Sequence, residues 1–371
     1  SEMDIIERNF IRLLRSGTFG NDEPIMPMSH WKWTRLYQMS LMHSVSALVH
    51  DGITKRKGDI FLNISEDLME VWKNNTSEVE NDNHRMSTLT AELFQIFQKE
   101  KLRPILLKGQ AIALLYPVPN HRTGGDCDIF FPYEPQANKA DNWAESNGKS
   151  AARQDRYTLP YTWKGMAVEN HQKIQRLTNA FLNHRLQNII DREIRCCDST
   201  YVTIEGKRIE TLPHTLNLLV SITRIARYIL NDGVKLKQLI DLGMMLRTIG
   251  AHVDFVKLQQ WIESLHLQRI ATLEASLLIE LFGFSEDELP FFLPHLATNI
   301  QSIVKELLQF DSSHTDEWYF TQGKNIFVKS NNSKAMLWQM RHTARYFRYY
   351  PSEMTTNFIK NFSHTLSHIE E

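Results

Sequence analysis

The hydrophobic period of this chain changes twice, and that double change limits the fold more than any other feature. Up to about residue 100, apolar side chains recur at three- and four-residue steps: Ile5, Ile6, Phe10 and Leu13, then Leu36, Met39, Leu41, Val45 and Leu48. That spacing lines one face of a helix. A turn-rich stretch at 17–29 separates the first helix from the next. Ser65 and Ser77, each followed by acidic residues, are predicted helix starts, and Leu89, Leu93, Ile96 and Phe97 form the stripe of a helix running to Lys99.

At Arg103 the pattern shortens. Residues 104–109 are an apolar run closed by Gly109, and 110–116 a short helix stopped by Pro117 and Pro119, so strand, turn and helix follow one another. Residues 126–131 read as a second strand and 134–147 as a helix. The runs 157–164 and 166–171 read as strands joined at Gly165, and Glu205 with Gly206 joins a further pair, 201–204 and 207–210. Beyond Thr211 helical spacing returns at 212–230, 236–246, 255–265, 270–282 and 300–308, and 333–368 reads as helical with a break at Tyr350 and Pro351. The expected class is α+β: a small mixed β-sheet core at 101–211, between an N-terminal helical region at 1–100 and a C-terminal helical domain at 212–371.

The 371 residues suffice for such a core, and 42% hydrophobic with 23% charged residues excludes a disordered, collagenous or disulfide-scaffold chain. Lys and Arg total 42 against 43 Asp and Glu, so no whole-molecule field draws nucleic acid or an acidic membrane. Three cysteines, Cys127, Cys196 and Cys197, form neither a disulfide framework nor a CxxC pair. The first residues lack the basic and apolar regions of a secretory signal, and Arg224 and Arg227 interrupt the most apolar run, leaving it short of the ~20 residues of a membrane span. A cytoplasmic protein is expected.

Asp126 and Asp128 are two positions apart, which on a strand puts both carboxylates on one face with Cα atoms ~6.5–7 Å apart, and Cys127 and Ile129 on the other. Two such carboxylates repel unless a cation lies between them, and their hard oxygens select Mg²⁺ or Mn²⁺. Solvated aspartates at a strand end would give the same pattern. The neighbourhood separates the two readings: Gly109 lets a ligand approach the backbone, the free amides beyond it favour an anion, and Lys108 stands alongside. Phosphate next to magnesium points to a nucleotide.

The stretch LKGQAIALLYP at 107–117, followed by HRTGGDCDI at 121–129, resembles the uncharacterised nucleotidyltransferase family of the polymerase-β-like superfamily: a Leu-Lys-Gly turn, Tyr-Pro, an Arg and an Asp-x-Asp strand in that order. Val168, Glu169, Asn170 and His171 resemble its acidic-x-His strand. The likeness covers about 100–245. It implies a small mixed sheet joined to a helical partner and an Mg²⁺-dependent transfer of a nucleoside monophosphate from a nucleoside triphosphate to a hydroxyl-bearing acceptor. On that resemblance Asp126, Asp128 and Glu169 hold the metals, Glu169 also helps deprotonate the acceptor, and Lys108, Gly109, Gln110 and Arg122 cradle the triphosphate. Gln110 stands where the superfamily commonly has a hydroxyl or a second glycine, and Asn170 and Gln172 flank His171 where an apolar residue and a tryptophan are usual; both departures bear on substrate binding.

His171 shares a strand face with Glu169 and either reaches the acceptor or makes a structural hydrogen bond. Asp241, where the family often has an Asp in a later helix, either contacts substrate or makes a buried cap or interhelical salt bridge. His214, just after Pro213, is expected to cap a helix and Cys127 to be core. Residues 331–350 contain Lys334, Arg341, Arg345 and Arg348, interleaved with Trp338, Tyr346, Phe347, Tyr349 and Tyr350, without an acidic residue. An anionic partner is one reading of the 334–350 stretch; arginine stems lying on aromatics over the core is the other.

Against the enzyme stands a non-catalytic, antitoxin-like regulatory module of the same fold. A sugar-nucleotide glycosyltransferase is disfavoured because about a hundred helical residues precede the Asp pair, where that fold places nucleotide-binding strands. Duplex polymerisation is disfavoured by the near-neutral charge.

Overall fold

The computed structural model describes residues 2–153, 155–231, 233–309 and 340–367. Four helices open the chain: α1 (Ile5–Thr18), α2 (His30–Met42), α3 (Ser46–Lys55) and α4 (Glu66–Lys99). α4 is one helix of 34 residues, about 50 Å long at ~1.5 Å per residue, and its start is Ser65, whose hydroxyl accepts the Leu68 amide at 3.2 Å. Ser77, predicted as a second start, lies inside it. Its serine-acidic signature is overridden because the stripe through Trp72, Thr76, Val79, Asn83 and Met86 is continuous. Gly17, predicted in a turn, lies in the last turn of α1, where a Cβ would stand 1.9 Å from the Leu48 carbonyl oxygen of α3.

The sheet follows: β1 (Ile105–Leu106), α5 (Gln110–Ala113), β2 (Cys127–Phe130), α6 (Glu134–Asn147), β3 (Lys149–Ser150), β4 (Thr158–Trp163), β5 (Met166–His171), α7 (Ala180–Cys196), β6 (Thr200–Ile204) and β7 (Lys207–Thr211). Its order is β3-β4-β5-β2-β1-β7-β6; β2 with β5 and β1 with β7 are parallel, and the other neighbours antiparallel. Both predicted hairpins form on two-residue turns in the left-handed region, Lys164 with Gly165 and Glu205 with Gly206. β1 and α5 are much shorter than their runs suggested. α7, with Leu182, Leu186, Ile190 and Ile194 on its buried face, was not anticipated.

The last part is helical as expected: α8 (His214–Leu230), α9 (Leu236–Ile249), α10 (Phe255–Ser264), α11 (Gln268–Phe282), α12 (Gln301–Leu308), helical residues 340–346, and α13 (Pro351–Ser367) after the anticipated break. Among the described residues no helix is long and apolar enough to cross a membrane.

Alternation along the strands divides two cores. Cys127, Ile129 and Val168 point to one face, against Phe94 and Phe97 of α4 and the alanines of α6. Ile105, Leu107 and Phe130 join the other core, in which α1 to α3 and the C-terminal helices pack together. α4 serves both, through Leu68 and Trp72 at one end and Met86 to Phe97 at the other. Glu353 of α13, fully buried, accepts the backbone amides of Thr178 and Asn179 and so ties the C-terminal helix to the start of α7.

Candidate functional site

Asp128 shares the strand face of Phe130, the face turned to the C-terminal helices. Because β5 runs parallel to β2 with Asp128 opposite Glu169 and Phe130 opposite His171, residues 43 positions apart meet on that face. His171 Nε2 lies 2.9 Å from Asp128 Oδ1 and 3.3 Å from Glu169 Oε2. From the other side, Lys108 Nζ is 3.4 Å from Asp128 Oδ2. That oxygen is buried and has no hydrogen-bond partner among the described residues, and the donor atoms of Asp128, Glu169 and His171 lie within 4.8 Å of one another. Two carboxylates, one of them with this buried oxygen left over, suit a divalent cation, with the imidazole orienting them.

Charge follows geometry. Burial works to raise the Asp128 carboxyl, but Lys108 and His171 overcome it and hold the group well below the usual range. Burial would lower His171; its hydrogen bonds to Asp128 and Glu169 instead raise it to about 9, so the ring is a cation at neutral pH. Asp126, one position before β2 and exposed, is raised by desolvation and by Asp128 and Glu169. It stands outside the three-donor group and lines the neighbouring cavity instead.

Gly109 has φ 71° and ψ −124°, a conformation that side-chain-bearing residues resist, and this sharp turn sets Lys108 beside Asp128. The helix after it is a single turn. Gln110 is buried, accepting from the Ser87 hydroxyl at 2.8 Å and donating to Asn83 Oδ1 at 3.2 Å, so its amide faces α4. Asn83 also donates to the carbonyls of Asn120 and Arg122, each at 2.7 Å, fixing the loop before β2. Arg122 is buried and donates from Nε and Nη2 to the two oxygens of Asp241, both at 2.8 Å, while its buried Nη1 has no partner among the described residues. Tyr116 donates to Asp241 as well. Burial opposes ionisation of Asp241, but Arg122 and Lys237 hold its carboxyl down. Asp241 is thus in a buried ion pair, with an arginine of the loop before β2 and not with another helix, and it also lines a cavity.

Two cavities open here. One, of about 250 Å³, is lined by Asp128, Glu169, His171, Arg227 and Asn231; the other, of about 240 Å³, by Gly109, Arg122, Asp126, Lys235, Lys237 and Asp241. Lys108, Arg224 and Tyr228 line both. The predicted residues thus gather around one cleft, except the Gln110 side chain. Sequence reasoning missed Arg224, Arg227 and Tyr228 of α8 and Lys235 and Lys237 at the start of α9. The signal was present: charged and polar residues at three- and four-residue steps through an otherwise apolar helix mark a face turned to something polar.

His214 does not make the expected cap; its ring stacks on His252 at 5.6 Å. Cys127 is core, its thiol pushed up to about 12 by burial. In the basic aromatic stretch, Lys334 and Trp338 lie outside the described residues. Tyr346, Tyr349 and Tyr350 are buried, Arg345 pairs with Glu306, and Arg348 lies 5.0 Å from the Tyr349 ring centroid, so of these arginines Arg348 lies on an aromatic of the core.

A protein-family profile described as uncharacterised nucleotidyltransferase matches residues 29–283. No curated protein matches the chain. Among solved structures, an antigenic nucleotidyltransferase-like protein from Paracoccidioides brasiliensis is similar at 14% identity and a TM-score of 0.35, over 53% of this chain and 91% of that one.

Proposed function

Because the chain belongs to the uncharacterised nucleotidyltransferase family, we propose that it transfers a nucleoside monophosphate from a nucleoside triphosphate to a hydroxyl-bearing acceptor, with Mg²⁺ or Mn²⁺ held by Asp126, Asp128 and Glu169. The observation that carries this reading is the convergence of Asp128, Glu169 and His171 around an unsatisfied buried oxygen, beside the Lys108–Gly109 turn. When bound, the metal would neutralise charge on the attacking and leaving oxygens. Glu169, partly exposed to the cavity, accepts the acceptor's proton as the acceptor oxygen bonds the α-phosphorus. The bond from that phosphorus to the bridging oxygen breaks, and pyrophosphate leaves with the electron pair. His171 orients the two carboxylates, and Lys108 contacts phosphate.

The test mixes protein, α-labelled nucleoside triphosphates and Mg²⁺ with acceptor extracts, against Asp128→Asn. Metal-dependent label transfer by the wild type alone is expected; equal transfer by the variant would overturn the mechanism. One observation favours a non-catalytic binding module: Lys108 and His171 already balance Asp128, and the Gln110 side chain is committed to α4. Nucleotide binding with no transfer to any acceptor supports that alternative.

A further inference from the structure

The cavity on the Asp126 side has a charge imbalance that the residues named so far do not resolve. Five cationic side chains line it, Lys108, Arg122, Arg224, Lys235 and Lys237, against the carboxylates of Asp126 and Asp241. Lys108 is engaged with Asp128 and Arg122 with Asp241. Among the described residues, Arg224 and Lys237 make no hydrogen bond or ion pair. The buried Nη1 of Arg122 is likewise without a partner.

Arg224 and Lys237 are only partly exposed, and drawing cations away from water without a partner anion is costly. Lys237 is pulled down to about 7, first by desolvation and then by Arg122, Lys108 and Lys235. Arg224 is lowered by burial. The two come from different helices, α8 and α9, and converge on one chamber beside the Gly109 turn. A single monoanion would answer one of them; a chain of phosphates presents oxygens to both, and guanidinium and ammonium groups are the side chains that hold such oxygens.

We propose that this chamber is a polyphosphate subsite, in which Arg224 and Lys237 of the C-terminal helices bind the β- and γ-phosphates of the donor. The inference rests on the nucleotidyl-transfer reading for the identity of the donor, but not for the binding of polyphosphate itself. It gives α8 and α9 a part in holding the donor's tail. It also leaves the second cavity, floored by Asp128, Glu169 and His171, open to the acceptor on the other side of Lys108 and Arg224.

The experiment is calorimetric titration of the full chain with inorganic tripolyphosphate, ATP and AMP in EDTA, repeated with Lys237→Met, Arg224→Met and the charge-retaining Arg224→Lys, each checked for an unchanged circular dichroism spectrum. Tripolyphosphate and ATP are expected to bind the wild type and AMP much more weakly. Each methionine variant should lose at least tenfold in affinity for tripolyphosphate and ATP, and Arg224→Lys should retain more than Arg224→Met. Affinity unchanged in both methionine variants, or no binding of tripolyphosphate to the wild type, overturns the subsite. Tripolyphosphate bound at least as tightly as ATP, with the variants still defective, supports the subsite and indicates that it also accepts free polyphosphate. These losses in the variants, together with a wild type that never transfers label, defeat the transferase reading and leave the subsite standing.

Discussion

Arg122 holds Asp241 through two parallel hydrogen bonds of 2.8 Å, joining the loop before β2 to helix α9 across 119 positions of sequence. Both groups are largely removed from water, so the pair stands or falls together. Asp241→Leu is expected to cost about 3–5 kcal/mol by stranding the buried guanidinium. The double variant with Arg122→Met should recover much of that loss, and urea unfolding of the four proteins checks it.

Gly109 sits at φ 71° with room around it, since a Cβ there would meet only the Asp126 carbonyl oxygen, at 3.5 Å. Gly109→Ala therefore introduces backbone strain without a clash, worth about 1–3 kcal/mol. The expected outcome is a folded protein with a lowered denaturation midpoint and weakened triphosphate binding, because relaxation of the turn moves Lys108.

His121 lies between two carboxylates, Nδ1 at 2.7 Å from Asp51 and Nε2 at 2.6 Å from Glu80, linking α3, α4 and the loop that carries Arg122. The hydrogen bond to Asp51 raises its pKa, against burial and with help from Glu80. A raised folded-state value means that the contribution is complete below the unfolded value of roughly 6.5 and is lost as pH rises through the folded one. Wild type should thus lose stability relative to His121→Asn between pH 6 and pH 9 in urea titrations. A constant difference would count against the pairing.

Metal and nucleotide should stabilise the folded chain together. At a hundredfold excess over the dissociation constant, a non-hydrolysable triphosphate with Mn²⁺ would add about 2.7 kcal/mol. Differential scanning fluorimetry should show the shift for wild type and its loss in Glu169→Gln and Asp128→Asn.

Cys127 is buried with its thiol pushed up, whereas Cys196 is exposed. A thiol reagent should therefore label Cys196 rapidly in the native protein and Cys127 only after denaturant is added, as peptide mapping by mass spectrometry would show.

Local pattern determined a good deal here: the α+β class, both hairpins with their left-handed turns, the strand carrying Asp128 and the break at Pro351 follow from periodicities of two and 3.6 and from glycine and proline chemistry. These are interactions between residues close in sequence. The elements that went astray are those whose limits are set from afar. β1 has only two residues because β2 pairs with it over just that length and β7 only at Leu106, and α4 passes through Ser77 because its two halves are buried in two different cores. The candidate site divides the same way. Asp126, Asp128, Glu169 and Lys108 were legible as residue types at suggestive spacings, but that Glu169 stands beside Asp128 is a fact of parallel register. That Arg122 gives two of its donors to Asp241 while Arg224 and Lys237 reach the cleft unpaired among the described residues is a fact of helix packing. Sequence alone carries the short-range preferences of a chain; which distant charges share one low-dielectric space is decided only when the sheet and the helices close over them.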